Sequence, residues 1–131
     1  MFRSFMSDAL SEARAADLRG EVPVGAVVTR GNDIIGRGGN RTRELNDPTA
    51  HAEMLAIRAA CAALAQDRLI GCDLWVTLEP CAMCAQAIAH ARLDRLHFGA
   101  SDPKSGGVLN GARVFTHRQT HHVPDIHDGI D

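Results

Sequence analysis

The stretch Asp73-Leu74-Trp75-Val76-Thr77-Leu78-Glu79-Pro80-Cys81-Ala82-Met83-Cys84 decides the fold. Its first five residues are a short, mainly apolar run with an aromatic and a β-branched side chain, which reads as a strand over 73–77. A helix follows almost at once, over 81–92. Downstream, Arg95-Leu96-His97-Phe98-Gly99-Ala100 returns as a strand. A strand, a crossover helix and a second strand make a parallel pair with a helix on one face.

Upstream, Met54, Leu55, Ile57, Ala60, Cys61 and Leu64 recur at helical steps, predicting a helix from residue 49 or 50 to 66. Before it, 21–29 reads as a buried strand, Gly31-Asn32-Asp33 as a turn and 34–38 as its hairpin partner. The polar stretch 41–48 is a loop. Phe2, Phe5, Met6, Ala9, Leu10, Ala13 and Ala16 mark a first helix that ends at Gly20. Residues 101–107 form a loop, and 121–126 a short fifth strand. Pro124 cannot donate to a ladder, so that strand belongs at a sheet edge. The expected fold is a three-layer α/β/α domain with a mixed sheet of about five strands.

The composition fits one such domain over residues 1–131. Of the 45% hydrophobic residues, 20 are alanine, which favours closely packed helices over an aromatic core. Fourteen basic against sixteen acidic residues give a net charge of −2, which argues against a broad basic nucleic-acid face. No run approaches the ~18 apolar residues of a membrane span, and residues 1–8 lack the apolar centre of a signal peptide. A cytoplasmic protein with reduced cysteines is expected.

Two segments at helix starts carry chemistry: His51-Ala52-Glu53 and Pro80-Cys81-Ala82-Met83-Cys84. Cys81 and Cys84, at i and i+3, share one helix face in a first turn, where unpaired N–H groups favour thiolates. Alone, C-x-x-C between strand and helix also suits a redox pair. Two thiolates with the imidazole of His51 form a ligand set suited to zinc, and three ligands leave a fourth position for water. Glu53, two residues on, points elsewhere than His51 and is placed to take that water's proton. Zinc with two thiolates is formally neutral and so a weaker acid, which makes a nearby base more useful. Cys61 reads as a small buried hydrophobe and Cys72 as a turn residue.

H-A-E followed by P-C-x-x-C is the signature of the zinc nucleobase deaminases. Within them the chain resembles the bacterial tRNA adenosine deaminases over 21–27, 47–53 and 76–84, and again over 98–106. The resemblance implies a cytidine-deaminase-like fold and one zinc per subunit held by His51, Cys81 and Cys84, with Glu53 as proton shuttle. It also implies Asn40 as a partner of the base or ribose, and Val24 in the base pocket. The Ala52 N–H and Pro80 C=O would lie near the reacting water and leaving group. Asp102 and Lys104 would lie beside the sugar-phosphate chain. The implied reaction is hydrolytic conversion of adenosine to inosine at the wobble position of a tRNA anticodon loop, by a homodimer.

Two features depart from the family. Its C-terminal helix has no counterpart before Asp131, and the basic residues are few, with Arg37, Arg41, Arg43 and Lys104 the candidates for an RNA strip. Both keep open a deaminase of free bases or nucleosides using the same centre. A catalytically silent zinc-binding subunit is the third reading, against which Glu53 argues.

Overall fold

A computed structural model describes residues 3–130. Its elements run α1 (Met6–Leu18), β1 (Gly25–Arg30), β2 (Asp33–Gly39), α2 (Ala52–Leu64), β3 (Asp73–Leu78), α3 (Ala82–Ala91), β4 (Arg95–Ala100), a 3-10 turn (Val114–Thr116) and β5 (Asp125–His127). The sheet order is β2-β1-β3-β4-β5. β1 pairs antiparallel with β2 and β3, whereas β3–β4 and β4–β5 are parallel, so the sheet is mixed. α1 covers one face. α2 and α3 cover the other, over a core that includes Val28, Leu74, Val76, Leu96 and Phe98. This is the expected three-layer architecture, with β5 at an edge. Phe2, expected on the first helix, lies outside the described residues, as does Asp131. Among the described residues no helix is long and apolar enough to cross a membrane.

The boundaries moved where polar groups compete with regular structure. β1 begins at Gly25, not residue 21, because the Val24 N–H is spent on the Val22 carbonyl around Pro23. α2 begins at Ala52, with His51 as its extended N-cap. Asp47 Oδ1 accepts from the Thr49 N–H and hydroxyl, holding 47–49 as a turn that the helix cannot enter. β5 sits at Asp125–His127, past Pro124, and not over 121–126.

Small residues set the spacing of the layers. The α2 face on the sheet is Ala52, Ala56, Ile57 and Ala60, while Met54 and Leu55 are only half-buried. On β2, a Cβ added at Gly38 would come within 2.7 Å of the Ala52 carbonyl and 2.8 Å of Leu55 Cβ. The first turn of α2, which carries His51 and Glu53, therefore lies directly against the strand backbone. Gly38→Ala is expected to cost about 1–3 kcal/mol of stability by overpacking, and to weaken metal retention as His51 is pushed outward. Denaturant unfolding and metal analysis of the purified variant check both.

Candidate active site

The crossover β3-α3-β4 brings the C-terminal end of β3 beside the N-termini of α2 and α3, where unpaired helix amides favour anionic groups. There, ligand atoms of His51, Cys81 and Cys84 lie within 4.8 Å of one another, the metal-binding group found among the described residues. His51 Nδ1 is 3.7 Å from Cys81 Sγ and 3.5 Å from Cys84 Sγ. Around a tetrahedral ion with Zn–N near 2.0–2.1 Å and Zn–S near 2.3 Å, nitrogen and sulfur stand about 3.6 Å apart. The donor set and its spacing therefore fit one zinc.

Electrostatics agree with that assignment. The hydrogen bond from Cys84 lowers the Cys81 thiol to about 5, against the effect of burial and with help from the Cys84 and Met83 N–H groups and His51. Cys84 is pushed up by its hydrogen bond to that Cys81 thiolate, then by burial and by Glu53. The pair thus favours a thiolate on Cys81 over one on Cys84, and a metal that binds both sulfurs displaces the protons they hold. Glu53 is 4% exposed on the first turn of α2. Burial raises its carboxyl to about 7, opposed by its own backbone N–H and increased by the Cys81 charge. A group near neutrality both takes and returns a proton readily.

These residues open into a cavity of about 280 Å³. Of the sequence candidates, Val24, Asn40, His51, Glu53, Cys81 and Asp102 line it. Asn40 is 9% exposed, and its Oδ1 accepts from the Ala52 N–H at 2.8 Å, tying β2's end to the start of α2. Pro80 is buried, with its carbonyl accepting from the Gly107 N–H at 2.8 Å. Asp102 Oδ1 accepts from the N–H groups of Lys104 and Ser105, shaping its own turn. Lys104 is exposed and is not among the lining residues.

Sequence reasoning missed two buried carboxylates, one on the cavity wall and one that fastens a neighbouring loop. Glu79 lines the cavity and is 3% exposed. Burial raises its carboxyl, but hydrogen bonds from the Asp102 N–H, the Asn110 side chain and further N–H groups outweigh it and hold it below the usual range. Glu21, read as a strand residue, is 6% exposed and accepts from the N–H groups of Arg43 and Glu44, fastening the loop that carries Thr42 to the α1–β1 turn. The signals in the sequence were an acid beside or inside an apolar run and a place in the resembling stretches 21–27 and 76–84, neither of which gave these acids a role.

Desolvation raises the Glu21 carboxyl, yet those N–H groups, with Arg43 and Arg19, hold it below its ordinary 4.5. A depressed folded value means that the stabilisation is present above pH 4.5 and is lost as pH falls through the folded value. Glu21→Gln is therefore expected to be less stable than wild type at pH 6–7, with the gap closing as pH falls below about 4. Thermal melts at a series of pH values check the convergence. A gap that widens on acidification counts against this role.

A family profile described as "Cytidine and deoxycytidylate deaminase zinc-binding region" matches residues 2–100. The chain is 58% identical over 126 residues to a tRNA-specific adenosine deaminase of Agrobacterium fabrum, spanning 96% of this chain and 83% of that protein. A solved structure from a study of A-to-I editing by tRNA:A34 deaminases superposes with a TM-score of 0.94 at 58% identity, covering 95% of this chain and 91% of that one. The guanine deaminase of Bacillus subtilis superposes at 0.72 with 40% identity, over 74% of this chain and 62% of that one. With the His51, Cys81 and Cys84 triangle spaced for zinc and Glu53 buried beside it, the chain belongs to the cytidine and deoxycytidylate deaminase family.

Proposed function

We infer that this protein is a zinc-dependent hydrolase that converts adenosine to inosine at the wobble position of tRNA. The observation that carries the reading is the 58% identity to a tRNA-specific adenosine deaminase across 96% of the chain, together with the zinc triangle and its adjacent buried acid. The B. subtilis guanine deaminase shares less identity over less of the chain, so a free-base substrate is the less favoured reading.

His51, Cys81 and Cys84 would hold the zinc, which when bound supplies a Lewis acid that activates water at neutral pH. Glu53 takes the proton from the attacking water and hands it to the leaving amino group, as oxygen bonds to the purine carbon and ammonia departs. Its burial excludes bulk solvent as a competing proton acceptor. Asn40 has its oxygen committed to the Ala52 N–H, so its amide N–H groups remain to donate to base or ribose. Val24 offers an apolar wall to the purine face. The fixed Ala52 and Pro80 backbone frames the reacting end, and Asp102 with Lys104 flanks the sugar-phosphate chain.

The same reading takes residues 1–131 as one deaminase domain, acting as a homodimer in the cytoplasm. Because net charge is −2, the RNA would be gripped by a local strip containing Arg37, Arg41, Arg43 and Lys104. Zinc-loaded protein incubated with an anticodon stem-loop bearing a wobble adenosine, and separately with adenosine, guanine and cytidine, tests the substrate class. Inosine formed in the RNA alone supports the reading. Ammonia from a free base or nucleoside, with the RNA untouched, overturns it.

A further inference from the structure

Glu79 is a buried acid on the cavity wall, two residues from a zinc ligand, and so resembles a second proton shuttle. Its hydrogen bonds exclude that role. Oε1 accepts from the Asp102 N–H at 3.0 Å and from Asn110 Nδ2 at 2.6 Å. Oε2 accepts from the N–H groups of Val108, Leu109 and Asn110 at 2.9–3.0 Å. A carboxylate offers about four lone-pair positions, so five donors leave none for substrate or water.

Those donors sit on both arms of the segment from Asp102 to Asn110. The segment touches the zinc-ligand turn at a second point, because Gly107 donates to the Pro80 carbonyl. It fits there only through its glycines. A Cβ at Gly106 would meet Glu79 Oε2, and one at Gly107 would lie 2.8 Å from the Cys81 carbonyl carbon. Asp102 and Ser105, carried on this segment, form the wall of the cavity alongside Cys81. The Glu79 backbone is held in turn, its N–H donating to the Ala100 carbonyl at the end of β4.

We propose that Glu79 is a positioning residue for substrate binding: it gathers residues 102–110 onto the turn that carries Cys81, and so fixes the substrate-facing wall against the zinc centre. It holds neither the metal nor the transferred proton. Affinity for the nucleic acid therefore depends on Glu79, whereas zinc content and the chemical step do not. This rests on the tRNA reading above for the substrate, though the clamp itself is independent of it.

The test uses Glu79→Gln and Asn110→Ala in the zinc-loaded full chain. Glutamine keeps the shape of the side chain but turns an N–H2 group toward N–H donors. Buried donors left without an acceptor are costly enough that KM for the wobble-adenosine stem-loop should rise at least ~10-fold. Zinc should stay at one per chain and kcat should change less than ~3-fold, well below the ~10²-fold typical of a lost acid–base group. Amide exchange at 102 and 108–110 should quicken while β3 and β4 stay protected. Asn110→Ala removes one donor and should shift KM and exchange in the same direction by less, so it carries the test if Glu79→Gln does not fold. An unchanged KM, loss of zinc, or a fall in kcat at constant KM overturns the proposal. If wild type leaves the RNA untouched, the substrate reading has failed. The exchange pattern, with KM for whichever free base is deaminated, then decides the role of Glu79.

Discussion

Replacing Glu53 with glutamine is expected to lower kcat about 10²- to 10⁴-fold, the range lost when a positioned acid–base group is removed. The substitution keeps the volume and the α2 N-terminus intact, and Glu53 is not one of the three atoms spaced for zinc. Metal content should therefore remain at one per chain. Stability should not fall, because burial in this site already opposes the charged form of the carboxyl and lifts it to about 7. A neutral amide escapes that penalty. Single-turnover rates, metal analysis and a melting curve on the same preparation check the three parts. Turnover within about tenfold of wild type, with zinc bound, would remove Glu53 from the proton path, since acid–base groups contribute more than that.

Cys84→Ser should be more damaging to the metal than to the fold. Cys84 is fully buried behind Cys81, at the third residue of α3. A serine hydroxyl fills nearly the same space but is a hard, neutral donor in place of a thiolate. Removing even an outer partner of a zinc ligand costs 10- to 100-fold in affinity, so losing one of three ligands should exceed about 100-fold. The protein should purify with little zinc and show deaminase activity no higher than that of Glu53→Gln. Its circular dichroism should match that of chelator-treated wild type. Full zinc occupancy in Cys84→Ser would mean that the metal is held elsewhere.

The two substitutions dissociate metal from proton transfer. Glu53→Gln leaves zinc in place and stops turnover, while Cys84→Ser removes both. A silent zinc-binding subunit would show neither loss of rate, having none, and would retain its fold in both.

The chemistry of this protein was legible in its sequence because its elements are local. His51 and Glu53 are two residues apart, and Cys81 and Cys84 three, so each pair sits at one helix start, with His51 and Cys81 as extended N-caps and Glu53 and Cys84 in the first turn. Binary patterning likewise marked three helices and five strands, since burial of one face repeats with the period of the backbone. Errors fell where a polar side chain or a proline redirected the chain, as at Val22-Pro23-Val24 and at Asp47, whose carboxylate holds a turn ahead of α2. Such competition depends on one hydrogen bond and leaves no periodic trace.

What only the tertiary structure decided is the distance between the two halves of the site and the shape of the cavity around them. Thirty residues separate His51 from Cys81, and their 3.7 Å approach exists because Gly38 lets α2 lie against β2 while β3 ends beside it. The clamps at Glu21 and Glu79 were invisible for the same reason. A glutamate in an apolar run has no local signature of being buried. Its meaning comes from N–H groups that are 22 or 23 residues away for Glu21 and between 23 and 31 away for Glu79, delivered by loops whose path no pattern encodes. Sequence by itself named the three residues that stand spaced for the metal and the acid proposed to carry the proton, because motif spacing and ligand chemistry suffice for that. The shape of the cavity belongs to long-range packing, where backbone donors of distant loops converge on single buried carboxylates.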